Sequence, residues 1–236
     1  MTAIFEELNL TEMSVADTAL RDGVLYDLLG RSYHADIRDA TVAQLAKRYH
    51  IDYAQTTRVE NLAMRFFAAL NDESDAEISF QSRQALGWAC RLHEIGISIA
   101  QAAFHKHSTY IIGNADMPGF SKREQASLAA LLLSQRGKLS KVAADLVKDR
   151  AFAARVICLR LAVLLARSRR NVDGKIFTLS RLHHTDQINR EGFALDVEPQ
   201  WLASHDLTDY ELKQEAGEWS SVGISLQIIG VRAIEN

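Results

Sequence analysis

A mostly helical fold closed by a small α+β unit is predicted by three features of the chain. Apolar residues recur at helical spacing from Asp36 to about residue 169. Only two prolines interrupt 236 residues. After the turn signal Asn171-Val172-Asp173-Gly174, the hydrophobic period shortens to that of strands. The expected organisation is a short N-terminal piece over 1–30, a helical domain over 31–172 and the α+β unit over 173–236.

Taken in order, residues 1–13 place Ile4, Phe5 and Leu8 at helical spacing, with no N-cap before the run. Residues 13–17 alternate like a short strand, and the next helix carries Leu20, Val24, Leu25 and Leu28 on one face. Gly23 inside it costs about 1 kcal/mol relative to Ala, which suits a helix pressed against a close neighbour. Val42, Leu45, Ala46 and Tyr49 form one stripe, and Val59, Leu62, Ala63, Phe66 and Leu70 form the next. Residues 79–101 read as a longer, more apolar helix suited to a central place. A Gly turn at Gly96 leads to a helix ending near Asn114, before Pro118-Gly119. Ser121 and Glu124 make a capping box ahead of the apolar run 128–133. The helix over 150–169 is apolar on most sides and should be buried. Strands are expected at 175–182, 186–189, 193–197 and 223–232, with helices at 201–205 and 207–218.

Composition narrows the function classes. The chain is 47% hydrophobic and 24% charged, with net charge −3 and a sequence pI near 6.2, so no global pull toward nucleic acid or membrane is implied. No run approaches the roughly 20 apolar residues that span a bilayer, and the acidic N-terminus MTAIFEELNL lacks a signal-peptide pattern. The expected location is the cytoplasm. Cys90 and Cys158 lie in apolar helical patterns and read as buried, inert thiols. Trp88, Phe66, Phe67 and Phe104 read as core, while Trp201 and Trp219 hold the small unit together.

Several stretches, in order, resemble one family. Residues 19–29 (ALRDGVLYDLL) are similar to the ALREGVLYDLL segment of the Ppx/GppA phosphatases, the exopolyphosphatases and guanosine pentaphosphate (pppGpp) phosphohydrolases. LHEIG at 92–96, HSTYI at 107–111, MPGF at 117–120, AALLL at 129–133 and the helix 159–170 resemble that family's C-terminal half. The resemblance implies a non-catalytic half. The family's phosphate-cradling Gly loops, catalytic Glu and Mg²⁺-binding Asp belong to two N-terminal domains of the actin/sugar-kinase ATPase fold. No Gly-rich phosphate loop occurs in this sequence. Residues 1–30 would then be a remnant of the second ATPase-fold domain, with Arg21 and Asp22 at the hinge. The helical domain would be HD-like. Implied partners are the catalytic domains of the parent, a second copy in a homodimer, and polyphosphate or guanosine penta- or tetraphosphate. Mg²⁺ is expected for the parent and no cofactor for these residues. Leu131-Leu132-Leu133-Ser134-Gln135 leans toward the guanosine pentaphosphate branch.

An HD phosphohydrolase needs a His on an early helix, a His-Asp pair and a late Asp to bind a metal that generates a nucleophilic water. Here those positions hold Gln55, His93-Glu94 and Val163. Two ligands are missing, so His93 and Glu94 read first as hydrogen-bonded core groups that keep helices in register. The alternative is a metal held by His93 and Glu94 with His105 or His107, which would make the chain a self-contained HD-type phosphohydrolase. Basic residues carry the other reading. Lys106, Arg136, Arg167, Arg169 and Arg170 are the candidates for holding a polyanion through charge-assisted contacts. A free-standing module that binds an alarmone or a partner protein is a third reading.

Overall fold

The computed structural model describes residues 36–70, 76–182 and 192–230. The expected elements in 1–30, the hinge pair Arg21 and Asp22, and the strand at 186–189 lie outside these.

Helix starts follow the caps written in the sequence. Helix α1 (Ile37–Arg48) begins where the Asp36 carboxylate accepts from the Arg38 backbone N–H. Helix α2 (Tyr53–Leu70) buries Val59, Leu62, Ala63, Phe66, Phe67 and Leu70 on one face. Helix α3 (Ala76–Leu92) stops short of the expected 101, and a 3₁₀ turn, Ile95–Ser98, follows it. The reason lies at Gly96. A Cβ there would stand 2.1 Å from the Phe104 carbonyl oxygen and 2.5 Å from Ser108 N. The chain turns so that this backbone can press onto helix α4 (Phe104–Asn114), which no side chain at 96 would allow. Helix α5 (Lys122–Ser134) starts at the expected capping box, with Ser121 and Glu124 each satisfying the other's backbone.

A 3₁₀ turn (Leu139–Val142) and helix α6 (Ala143–Lys148) lead to α7 (Arg150–Leu165), whose N-cap Asp149 accepts from Phe152 N. Helix α7 is apolar all round, as expected, and ends four residues before 169. Its final carbonyls are met from outside, because the Gln55 side-chain amide donates to the Ala166 carbonyl at 2.9 Å. Strand β1 (Phe177–Leu182) pairs antiparallel with β2 (Gly192–Val197), and β2 pairs parallel with β3 (Ser225–Ile229). Helices α8 (Pro199–Ala203) and α9 (Asp206–Ser221) connect β2 to β3, the crossover that a parallel pair requires.

The helical part and the small sheet share one core. Phe177, Leu179, Phe193, Leu195, Leu212 and Trp219 belong to the same buried cluster as the residues of α2, α3 and α7. Phe177 meets Phe66 edge-on at 6.5 Å and Trp201 at 5.0 Å, and Phe193 meets Trp219 at 5.7 Å. One buried ion pair ties the two parts further. Arg160, inside apolar α7, grips Glu215 of α9 with both arms at 2.5 and 2.6 Å and also donates to the Ser134 and Gly137 carbonyls. Trp219 donates to the same carboxylate at 2.8 Å. With every guanidinium nitrogen engaged, this charge is tolerated in the core. Both cysteines are free and buried, and burial pushes each thiol up from its ordinary value.

Candidate functional site

The HD outline folds into a corner closed by an arginine. His93 is buried at the end of α3, and its Nδ1–H donates to the Cys90 carbonyl at 2.7 Å. That bond leaves Nε2 as the free lone pair, 4.0 Å from Glu94 Oε1. Burial, the largest effect, lowers the imidazole's pKa and favours the neutral ring. Glu94 is turned to Arg169, whose guanidinium bridges Glu94 Oε1 at 2.6 Å and Asp52 Oδ2 at 2.7 Å. Asp52 also receives the Gln55 backbone N–H, which with Arg169 holds its carboxyl below the usual range. A guanidinium thus sits between two carboxylates. Val163 is absent from this corner and lines a cleft beside Arg136 and Gly137. Among the described residues, no three His, Cys, Asp or Glu side chains converge to hold a metal. Among the described residues, His93, Glu94 and His107 form no such group, and Glu94 is paired with Arg169.

The sequence places Arg167, Ser168, Arg169 and Arg170 side by side, but the structure sends the three arginines to three places. Arg169 has a positive φ of 55°, and this left-handed residue swings the flanking side chains apart. Arg167 pairs with Glu211 of α9 and stands in the field of Arg136. Arg169 closes the Asp52–Glu94 corner. Arg170 enters a groove with Arg58 and Arg65 of α2.

Two of the expected polyanion residues meet in a basic band around His105. The imidazole is buried, and Lys141 donates to its Nε2 at 3.3 Å. The ring proton must then sit on Nδ1, which has no hydrogen-bond partner among the described residues. Burial first, then the charges of Lys141, Lys106, Arg136 and Arg160, lower its pKa to about 4. Lys106 and Arg160 lower Lys141 too, after burial itself. Among the described residues, Glu218 adds a nearby opposite charge to Lys141. The band runs from Lys106 through Lys141 and Arg136 to Arg167.

Sequence reasoning missed Asp52, Arg160 and the α2 arginines. Asp52 has no signal of its own, since its partner Arg169 is far along the chain. Arg58 and Arg65 were detectable, because a spacing of seven places both on one face of a helix.

The described residues form a helical domain with a three-stranded sheet and a basic surface around His105. Residues 37–216 match the profile of the Ppx/GppA phosphatase, domain III. The chain is 31% identical over 96% of its length to a guanosine-5'-triphosphate,3'-diphosphate pyrophosphatase of Pseudoalteromonas translucida (strain TAC 125), and it spans 44% of that relative. The chain belongs to the Ppx/GppA phosphatase family. Among the described residues no helix is long and apolar enough to cross a membrane.

Proposed function

We propose that this chain is the non-catalytic, polyanion-holding part of a Ppx/GppA phosphohydrolase, whose parent reaction is hydrolysis of a terminal phosphoanhydride. The observation that carries the reading is the gathering of Lys141, Lys106 and Arg136 around the buried His105, where Lys141 lies 3.3 Å from Nε2 and where burial first, then these charges, lower the imidazole's pKa to about 4. In a chain of net charge −3, such a concentration of cations is a local device. It suits polyphosphate or the phosphate tail of guanosine pentaphosphate, the latter favoured by the relative's printed name. Lys106 and Arg136 are its contacts, whereas Arg167 is paired with Glu211. The chemistry, with its Mg²⁺, belongs to the ATPase-fold domains of the parent. A homodimer in the cytoplasm completes the proposal.

The test is phosphate release by the purified chain from long-chain polyphosphate and from pppGpp, with Mg²⁺ and then Mn²⁺. The expected result is no release above buffer. Turnover that vanishes in His93→Ala would overturn the reading and revive the self-contained HD phosphohydrolase.

A further inference from the structure

The amine at the centre of the basic band is itself placed for chemistry. Lys141 stands in the 3₁₀ turn Leu139–Val142 and is exposed, while the imidazole that it meets, His105 of α4, is buried. Their nitrogens are 3.3 Å apart, so the ring fixes where the end of this long side chain sits. Gly137 keeps the pair open. A Cβ there, where φ is +78°, would lie 3.5 Å from Lys141 Nζ and 3.6 Å from His105 Nε2, so a side chain would crowd the amine. Among the described residues, the carboxylate that acts on Lys141 is Glu218, and one of its oxygens accepts from the Leu139 backbone N–H at 3.3 Å. Burial first, then Lys106 and Arg160, hold the amine's pKa below that of an ordinary lysine. More of it is therefore free amine at a given pH.

We infer that Lys141 is a site of covalent acylation by an acyl phosphate, with Lys106 and Arg136 drawing in the phosphate of the donor. A lysine becomes a nucleophile near neutral pH when burial or a neighbouring cation disfavours its proton, and both act here. An acyl phosphate suits the place because it joins an electrophilic carbonyl to an anionic leaving group that the same cations attract. The free amine attacks the acyl carbon, a C–N bond forms, and the C–O bond to phosphate breaks. The electron pair of that bond leaves with the phosphate, which also takes the amine's proton, giving an amide and hydrogen phosphate. Nothing is oxidised or reduced. His105 is a positioning residue, its Nε2 accepting one N–H of the amine and leaving the lone pair for the donor. The amide carries no charge, so the step removes one cation from the band. That consequence, regulation of the polyanion site, rests on the function proposed above, whereas the acylation itself does not.

The test incubates the full chain with acetyl phosphate and reads the initial rate at each lysine by mass spectrometry. Lys141 is expected to react at least about threefold faster than the exposed Lys47 and Lys148, as for an amine activated by burial and neighbouring cations. Its rate should level off at a lower pH than theirs, the sign that a lowered pKa requires. Unfolding in urea should abolish the difference. Lys106→Met, at an exposed position, should slow Lys141 and leave Lys47 unchanged. Equal rates at Lys141 and Lys47 in the folded chain, or the same pH profile for both, would overturn the assignment. So would a difference that persists in urea, which local sequence alone would then explain, or an unchanged rate in Lys106→Met. Inorganic tripolyphosphate, added as a competitor, should protect Lys141. Lys141 that stays fastest but unprotected would uphold the acylation site and count against the proposed function instead.

Discussion

The corner at Arg169 and the band around His105 hold the same kind of charge and have opposite fates. Arg169 has a carboxylate on each side, Asp52 and Glu94, so its charge is consumed within the fold. Lys106, Lys141 and Arg136 press on one imidazole with Glu218 as the nearby counter-charge to Lys141, so their charge is felt there. Basic residues in a sequence do not by themselves make an anion site. What decides is whether the fold brings a carboxylate to each.

The comparison breaks hardest at its most closed example. Arg160→Ala would leave Glu215 buried without its partner, a change that costs about 3–5 kcal/mol. Urea unfolding should show this as a large drop in midpoint, and a change below about 1 kcal/mol would mean the pair is not buried in solution. Arg169→Ala should cost far less, about 1 kcal/mol, because the guanidinium is 47% exposed and solvent screens the pair. Exposed Arg65→Ala should change stability by less than about 0.5 kcal/mol, as for surface positions without partners.

Acid should separate the regions again. His93 and His105 both have folded pKa values below the ordinary 6.5. The unfolded chain therefore binds protons that the folded chain refuses. Stability should be greatest above pH 6.5 and fall as pH drops toward about 4, where His105 finally titrates. A stability flat across that window would show that neither ring is held neutral. A smaller effect sharpens the cause. Lys141→Met should raise the His105 pKa toward its ordinary value in an NMR titration, and an unmoved pKa would show that the Lys141 charge has no part in the shift.

The helical framework was legible because it rests on local rules. The Ser121–Glu124 box, the stripe of α2 and the all-round apolar α7 each announce themselves within a few turns. The end of α3 was not, because it is set by contact of Gly96 with the backbone of α4. The pairing of Glu94 with Arg169 was not legible either. The Arg169–Asp52 bond spans 117 positions, and no local pattern links its ends. For the same reason the run at 167–170 read as one basic cluster, although the turn at Arg169 sends its members to separate partners.

The central claim is that the band around His105 holds a polyanion. It is tested most directly by titrating long-chain polyphosphate into the wild-type chain and into Lys106→Glu with Arg136→Glu. The account predicts salt-sensitive binding by wild type and about a tenfold or greater weakening in the double variant. Equal affinity in the two proteins would contradict it.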